Sequence, residues 1–450
     1  MAEMPRELEK GDIMQHMLYL GIPLLIVNLM QNFFSVFDMF LIGRIGVRSL
    51  SAISIIGFVI STFWSMTGGL MAGATAIASR HCGRKDYGLL KKTIVNTMFT
   101  AYALTVVYVI LSFIFRDRLL IFFGAKGETL ELARYIFPTC LISILNDSGL
   151  FIFFAILRAT GGIRRHFYLL IVSITLNTVF EPLFIYGWLG FPKMGLMGAP
   201  MARFMSYFVT TFIMVYILTH TSGVLRIGRE NLKLDASFLW NYIKLSVPAA
   251  LQGILPNLAS LVLLKIASGG GDAMLATMGI GSRLDGIVMM ICWAVGGSVT
   301  VMVGHNLGAG HPNRAEDSVM VGLRMTTMFT FACFAAYFFF PELVIKIFNS
   351  DPGVVLNGSW YLKIVSFFYL LMGVGIMAGN TFNGAGDTKT TMVINMIAYF
   401  AIQIPLAYFL QKVPAIGYKS IFIGIASVFA FQGIVGWVMY KQGKWKEKQI

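Results

Sequence analysis

Charged residues are scarce in this sequence. Only 12% of its 450 residues are Asp, Glu, Lys or Arg, whereas 57% are hydrophobic. A soluble domain carries about 25% charged residues, so the composition excludes an ordinary soluble globular protein. The apolar runs are about 20 residues or longer and rarely alternate with polar residues, which favours membrane-spanning helices over the strands of a β-barrel.

Residues that would build a metal site or a disulfide framework are also few. The four cysteines are scattered without a C-x-x-C motif, and the six histidines fall near predicted helix ends or in loops. This pattern predicts neither disulfides nor a metal site. No D-D-x-x-D motif occurs, which disfavours a membrane-embedded prenyl transferase, because such an enzyme holds Mg²⁺ and phosphate with clustered aspartates. We therefore expect no cofactor and no enzyme activity.

The distribution of the basic residues matters more than their number. The net charge is +14, yet the Lys and Arg residues lie between apolar runs and not along one polar face, so no nucleic-acid partner is expected. Alternate connections and both termini carry roughly twice the Lys and Arg of the other connections, which predicts that both termini are cytoplasmic. Residues 1–12 mix acids and bases before an apolar run too long for a signal-peptide core, so no cleavable signal is expected.

Twelve apolar segments are long enough to cross a bilayer, which predicts an all-α membrane protein with twelve transmembrane helices. The segments are residues 14–41, 50–79, 93–115, 132–157, 167–189, 194–219, 242–267, 274–303, 319–347, 353–382, 392–410 and 416–440.

The two halves of the sequence repeat each other at a constant interval of half the chain length. The matched pairs are Pro23 and Pro248, Asn32 and Asn257, Gly46 and Gly271, Gly83 and Gly308, and Gly161 and Gly386. Each half holds six segments, an even number, so both should insert the same way up, related by a pseudo-two-fold axis along the membrane normal. We therefore predict a six-helix lobe over residues 1–220, a cytoplasmic linker over 221–238 that includes Arg229 and Glu230, and a second lobe over 239–450.

Asp38 and Glu181 are acidic residues of first-half apolar segments that have no acidic counterpart in the second half. Asp38 aligns with an apolar stretch near Leu263, and Glu181 aligns with one near Leu406. A charge inside a membrane segment costs about 2.5–3.5 kcal/mol on insertion scales, so an intramembrane acid is a functional candidate. Asn177 lies four residues before Glu181, on the same helix face, which predicts a cation or proton pocket.

Proline and arginine complete this predicted pocket. Pro182 has no N–H and leaves a backbone carbonyl of the preceding turn free to coordinate or to bend the helix. At 1.5 Å per residue, Glu181 lies about 10 Å and Arg203 about 13 Å from the outer ends of their helices, and Asp38 lies near an outer end as well. We expect Arg203 to keep one acid ionised and Asp38 to be the acid that exchanges a proton. The alternative is a structural ion-pair network of Asp38, Glu181 and Arg203.

Other polar and aromatic residues of the segments are candidates for lining a substrate cavity or for bridging helices by hydrogen bonds. The cavity candidates are Asn32, Phe34, Asn146, Asp147, Gln252, Asn257, Asn380 and Gln403. Arg283 and Asp285 are two residues apart, too close in sequence to face each other on one helix, so we expect each to pair with a neighbouring helix.

Six stretches together resemble the multidrug and toxic compound extrusion (MATE) family of the multidrug/oligosaccharidyl-lipid/polysaccharide flippase superfamily. Each stretch is weak by itself, but they occur in order along nearly the whole chain. They are FDMFLIGRIG at 37–46, NTVFEP at 177–182, GLMGA at 195–199, GIGSRL at 279–284, VGHNLGAG at 303–310 and GAGDTKT at 384–390.

The resemblance implies a two-lobe exporter of the prokaryotic cytoplasmic membrane that works by alternating access. It would act as a monomer in the lipid bilayer and exchange a proton or Na⁺ for cationic, amphipathic small molecules. The family's ion-site positions correspond to Asp38, Asn177 and Glu181, and a helix-bending position corresponds to Pro23. With Pro182, whose missing N–H allows its helix to bend, Pro23 is a predicted hinge.

Three departures from the family pattern narrow this expectation. The helix-5 acid is usually Asp and is Glu181 here, and the helix-6 residue is usually Thr and is Arg203 here. An internal cation at that position would take the place of Na⁺, which favours proton coupling. A second-lobe acid of the NorM-like branch is replaced by Pro256, which is typical of the DinF-like branch. A flippase for lipid-linked oligosaccharides remains the alternative, since Arg203 and Arg283 could meet a pyrophosphate.

Overall fold

The computed structural model describes residues 7–220, 224–228 and 231–448. Residues 1–6 of the first predicted lobe and residues 449–450 of the second therefore lie outside the described residues. The same holds for residues 221–223, Arg229 and Glu230 of the predicted linker. Within the described part of the chain, all regular secondary structure is helical and no strand occurs.

The described residues of the first half of the chain form seven α-helices. They are α1 (Ile13–Gly43), α2 (Val47–Gly83), α3 (Tyr87–Ile114), α4 (Arg116–Phe122), α5 (Gly127–Ala159), α6 (Ile163–Tyr186) and α7 (Gly198–His220). Short 3₁₀ turns at Trp188–Gly190 and Gly195–Met197 connect α6 to α7.

Nine further α-helices lie in the part of the second half that the structure describes. They are α8 (Ala236–Ser268), α9 (Asp272–Gly308), α10 (Pro312–Phe339), α11 (Pro341–Lys346), α12 (Pro352–Ser366), α13 (Tyr369–Ala385), α14 (Thr388–Met396), α15 (Ile404–Leu410) and α16 (Ser420–Lys441). A π-helical segment, Ile397–Gln403, joins α14 to α15 without interrupting the helical path.

Eleven helical spans of the described chain are long and apolar enough to cross a membrane, and α12 with α13 forms a twelfth, broken span. The prediction of an all-α membrane protein with twelve spans is therefore confirmed. The predicted segment 353–382 is bent by 52° between α12 and α13. The predicted segment 319–347 ends earlier than expected, because Pro341 lacks an N–H and begins the separate helix α11.

The helix boundaries repeat the interval seen in the sequence. Helices α2 and α9, α3 and α10, α4 and α11, and α6 and α14 each begin half the chain length apart. Even the short α4 has its counterpart in α11. The duplication is therefore present in the order and length of the helices as well as in a few matched residues.

The chain divides into two compact units, one built mainly from Ile22–Val247 and the other from Leu8–Gly21 with Pro248–Ile450. The core of the first unit includes Phe63, Ile136 and Phe137, all fully buried. The core of the second unit includes Leu362 and Phe422, also fully buried. The boundary between the units falls inside α1, between Gly21 and Ile22 and directly before Pro23.

Candidate functional site

Asp38 and Glu181 lie next to each other in the first unit. Asp38, on the last turns of α1, is half-buried, and Glu181, near the end of α6, is 1% exposed. The two carboxyl groups are close enough for both their charges and their hydrogen-bonding atoms to interact. Neither oxygen of Glu181 is in hydrogen-bond geometry with another described residue. Buried polar atoms normally have a partner, so this carboxyl group is the first candidate of the unit for a site that a proton or a cation occupies.

The ends of α1 and α6 are tied together, which holds the two acids in register. The hydroxyl of Tyr186 donates a hydrogen bond of 2.9 Å to the backbone oxygen of Leu41, three residues after Asp38. Asn177 is also buried, one turn before Glu181 on α6. The structure thus brings Asp38, Asn177 and Glu181 to neighbouring positions on two helices of one unit.

Arg203 pairs with Asp147 and not with the two acids. Its Nε and Nη2 atoms donate bonds of 3.1 and 2.8 Å to the same oxygen, Oδ2, of Asp147. Asp147 is 1% exposed, and its other oxygen has no hydrogen-bond partner among the described residues. In the alternative of a structural ion-pair network, the hydrogen-bonded partner of Arg203 is thus Asp147 and not Asp38 or Glu181. Asp147, predicted to line a substrate cavity, has its charge neutralised inside the helix packing.

Aromatic rings fix the position of the Arg203 guanidinium. It lies 5.2 Å from the ring centre of Trp64 on α2 and 5.1 Å from that of Tyr207, one turn along α7. Such cation–π contacts stabilise a positive charge in a poorly hydrated place. Arg203 still acts electrostatically on Asp38, so its positive charge contributes to the field at the acid pair.

The other predicted cavity residues of the first unit, Asn146, Asn32 and Phe34, differ in their contacts. Asn146 bridges α5 and α7, since it accepts a bond of 2.9 Å from the Thr211 hydroxyl and donates one of 3.4 Å to the backbone of Phe204. Asn32 is exposed and donates to the backbone of its own helix, and Phe34 is half-buried on α1. Phe34 lies one turn before Asp38 on the same face of α1.

Four predicted cavity residues line one cavity of the second unit. Its volume is about 810 Å³, and Gln252, Asn257, Asn380 and Gln403 are all on its wall. Ligand pockets commonly have volumes of about 300–1,000 Å³, so this cavity has the size of a small-molecule site.

Asp285 is a cavity-wall residue that the sequence predicted to pair with a neighbouring helix. Its two oxygens accept hydrogen bonds of 2.6 Å each from the hydroxyls of Tyr361 and Tyr369, on two neighbouring helices. These tyrosines lie on either side of the break between α12 and α13. The acid was visible in the sequence as a charge within an apolar segment, but no local signal indicated two tyrosines as its partners. Arg283 is exposed.

The family model described as MatE matches the chain twice, over residues 23–183 and 248–409. The two matches cover corresponding parts of the two halves. Each begins at a proline, Pro23 or Pro248, of the repeated pattern.

The full-length relatives are distant but cover almost the whole chain. The chain is 24% identical to "Probable multidrug resistance protein YoeA" of Bacillus subtilis, over 98% of this chain and 96% of that protein. It is 23% identical to "Probable multidrug resistance protein NorM" of Thermotoga maritima, over 99% and 96%. A solved structure, described as MATE in the bent conformation, superposes with a TM-score of 0.91 at 22% identity, over 100% of this chain and 99% of that one.

Proposed function

The chain belongs to the MatE family, and from that premise we propose that it is a secondary antiporter that exports cationic, amphipathic small molecules in exchange for protons. The family are transporters and not enzymes, and the relatives named above are multidrug resistance proteins. The observation that carries the proposal is the pair of neighbouring carboxyl groups of Asp38 and the buried Glu181.

The acid pair supports exchange because a proton and the exported organic cation compete for the same negative charge. Two neighbouring carboxylates repel each other, and the repulsion is relieved when either a proton or an organic cation binds. Glu181 has no hydrogen-bond donor among the described residues to compensate its charge. In the outward-open state, protonation of Asp38 would remove the charge that holds the exported cation, and the cation would leave.

The surroundings of the pair favour a proton over Na⁺ as the coupling ion. A hard metal cation requires several oxygen ligands, whereas a proton requires one. Arg203, which acts on Asp38 from α7, is a hydrogen-bond donor and supplies no oxygen ligand for a metal ion. The replacement of a neutral oxygen ligand by this side chain is therefore proposed to favour the proton.

Transport requires two states of the helix that carries Asp38. Pro23 and Pro182 are the proposed hinges, because a proline inside a helix removes one backbone hydrogen bond and weakens that turn. Pro23 lies two residues after Gly21, where the chain passes from one unit to the other within α1. Bending at this position would move Asp38 relative to the exported cation.

The proposed setting is a prokaryotic cytoplasmic membrane, with both termini on the cytoplasmic side and the protein acting as a monomer. The alternating distribution of Lys and Arg supports this topology. The lipid-linked oligosaccharide alternative is weakened by the contacts of Arg203, since that charge is already paired with Asp147.

Reconstitution tests the proposed exchange. Proteoliposomes with an acidic interior, and with the membrane potential clamped, should accumulate tetraphenylphosphonium above the level of protein-free liposomes. An outward Na⁺ gradient alone should not drive this uptake. Accumulation that depends on Na⁺ and not on the pH gradient would overturn proton coupling.

Replacement of the central acid gives the matching prediction. Asp38→Asn should reach the membrane normally but lose at least about 90% of the gradient-driven uptake, because the amide cannot exchange a proton. Glu342→Gln is the matched control, since Glu342 is an exposed acid that pairs with Lys346 outside the apolar spans. Full activity of Asp38→Asn would remove Asp38 from the mechanism.

A further inference from the structure

One charged side chain of the first unit, that of Arg203, is held between an acid and aromatic rings. Asp147 accepts two hydrogen bonds from its guanidinium, and the rings of Trp64 and Tyr207 have their centres 5.2 and 5.1 Å from its central carbon. Acids and aromatic faces are the groups with which proteins recognise organic cations. We refer to Asp147, Trp64 and Tyr207 as the guanidinium cage.

The rings of the guanidinium cage are held by packing that does not involve Arg203. The ring centre of Phe151 on α5 lies 4.6 Å from that of Trp64, edge to face, and 6.1 Å from that of Tyr207, nearly parallel. Trp64 also packs edge to face against Phe63, which is fully buried. Because closely packed rings have little room to move, we expect the cage to keep its shape when the Arg203 side chain is removed.

Arg203 supplies all of the hydrogen bonds that the carboxylate of Asp147 receives within the described chain. Both bonds end on Oδ2, and no described residue donates to Oδ1. Asp147 is 1% exposed, whereas the side chain of Arg203 is 35% exposed. Removal of the Arg203 side chain would therefore leave a buried carboxylate at the end of a space that molecules from outside can reach. A cation that enters this space would restore the charge pairing that the guanidinium provided.

The duplicated half shows what the corresponding place contains when no arginine fills it. Counted from the start of each helix, α2, α5 and α7 correspond to α9, α12 with α13, and α16. In chain order, the cage residues and Arg203 are matched by Met289, Met372, Ile425 and Phe429. All four of these residues line the cavity of about 810 Å³ in the second unit. The correspondence indicates that the Arg203 side chain occupies, in the first unit, a place suited to a guest molecule.

We propose that Arg203 is a built-in occupant of a cargo site for planar organic cations and that it thereby sets the specificity of the first unit. While its guanidinium lies in the cage, a free cation cannot pair with Asp147 and is left to the acid pair of Asp38 and Glu181. Removal of the Arg203 side chain would open the cage to guanidinium compounds. The inference rests on the proposed export function only in treating the cage as a cargo site, since occupancy of the cage is measured by binding alone.

Propylguanidinium is the probe, because it has the planar cation and the aliphatic stem of an arginine side chain. Purified full-length Arg203→Ala in detergent should unfold at a lower temperature than the unaltered protein. Millimolar propylguanidinium should raise this midpoint in a saturable way, because a ligand that binds only the folded state stabilises it. The unaltered protein should need at least roughly tenfold more of the compound for an equal rise, since Arg203 occupies its cage. Equal rises at equal concentrations in both proteins, or no rise in Arg203→Ala, would overturn the proposal.

Two analogues separate the charge of the probe from its shape. Propylurea has nearly the same shape without the charge, and it should bind Arg203→Ala at least roughly tenfold more weakly, because it leaves Asp147 unpaired. Propylammonium carries its charge on one compact group that cannot lie flat against an aromatic ring, and it should also bind roughly tenfold more weakly. Equal binding of propylurea would contradict a cation site, and equal binding of propylammonium would contradict a site for planar cations.

Second substitutions locate the site within the cage. Asp147→Asn or Trp64→Leu, each added to Arg203→Ala, should weaken propylguanidinium binding roughly tenfold, because one removes the acid and the other an aromatic face. Unchanged binding by both double variants would contradict the assignment. If Arg203→Ala does not survive extraction, propylguanidinium added beforehand should recover folded protein, and failure to recover it would also contradict the proposal.

Two controls separate this site from other acids of the protein. Arg48→Ala frees the surface acid Glu128, whose side chain is 69% exposed, and propylguanidinium should not raise the unfolding midpoint of this variant. Asp38→Asn added to Arg203→Ala should keep the full rise of Arg203→Ala. Failure of the proposed proton exchange and failure of this proposal therefore give different results.

Discussion

At the scale of single residues, the buried charges of the first unit are of two kinds. Glu181 is buried without a hydrogen-bond donor among the described residues, beside the half-buried Asp38. Asp147 is equally buried but holds Arg203 through two hydrogen bonds to one oxygen. The first arrangement leaves a charge to be neutralised by cargo, whereas the second is already neutral. We therefore assign exchange to the acid pair and electrostatic support to the ion pair.

The ion pair predicts a stability difference. Arg203→Met leaves Asp147 buried and unpaired, which should cost about 3–5 kcal/mol of unfolding free energy. The double variant Arg203→Met with Asp147→Leu should recover most of that loss, because no buried charge remains. The midpoint of thermal unfolding in detergent measures both effects.

Arg48→Met provides the control for this measurement. Arg48 pairs with Glu128 at the surface, where the two side chains are 67% and 69% exposed. Removing such a pair changes stability by about 0–1 kcal/mol. If Arg203→Met shifts the midpoint no further than Arg48→Met does, the Arg203–Asp147 contact does not neutralise a buried charge.

At the scale of helices, the sequence predicted the positions of the membrane spans better than the breaks within them. Long apolar runs bounded by basic connections located the twelve spans, because a bilayer requires about 20 apolar residues per helix. The 52° break between α12 and α13 was not predicted, since no proline interrupts residues 353–382. Tyr361 and Tyr369, on either side of this break, both reach Asp285. Such tertiary contacts have no local sequence signal.

We expect substitution of Pro23 in α1 to slow transport. Pro23→Ala restores a backbone N–H inside the helix and should stiffen it, so that transport slows by roughly tenfold while the protein still folds and binds tetraphenylphosphonium. Initial rates in proteoliposomes test this expectation. Pro138→Ala is the control, because Pro138 lies inside α5, away from the boundary between the units. Equal slowing by both variants would show that Pro23 is not a specific hinge.

At the scale of the whole molecule, duplication and divergence were predictable to different degrees. The same half-chain interval appears in the sequence, in the helix starts and in the two MatE matches. The absence of Asp38 and Glu181 counterparts from the second half was also visible in the sequence. The cavity of the second half could not be predicted from the sequence. Its wall is formed by residues as far apart as Gln252 and Gln432, and their proximity depends on helix packing.

Proton release on substrate binding tests the central claim most directly. Tetraphenylphosphonium is permanently charged and carries no exchangeable proton, so any proton that appears on its binding comes from the protein. In weakly buffered detergent solution near neutral pH, binding should release on the order of one proton per protein molecule. This release should vanish in Asp38→Asn combined with Glu181→Gln. Binding without proton release, or equal release from the double variant, would contradict exchange at the acid pair.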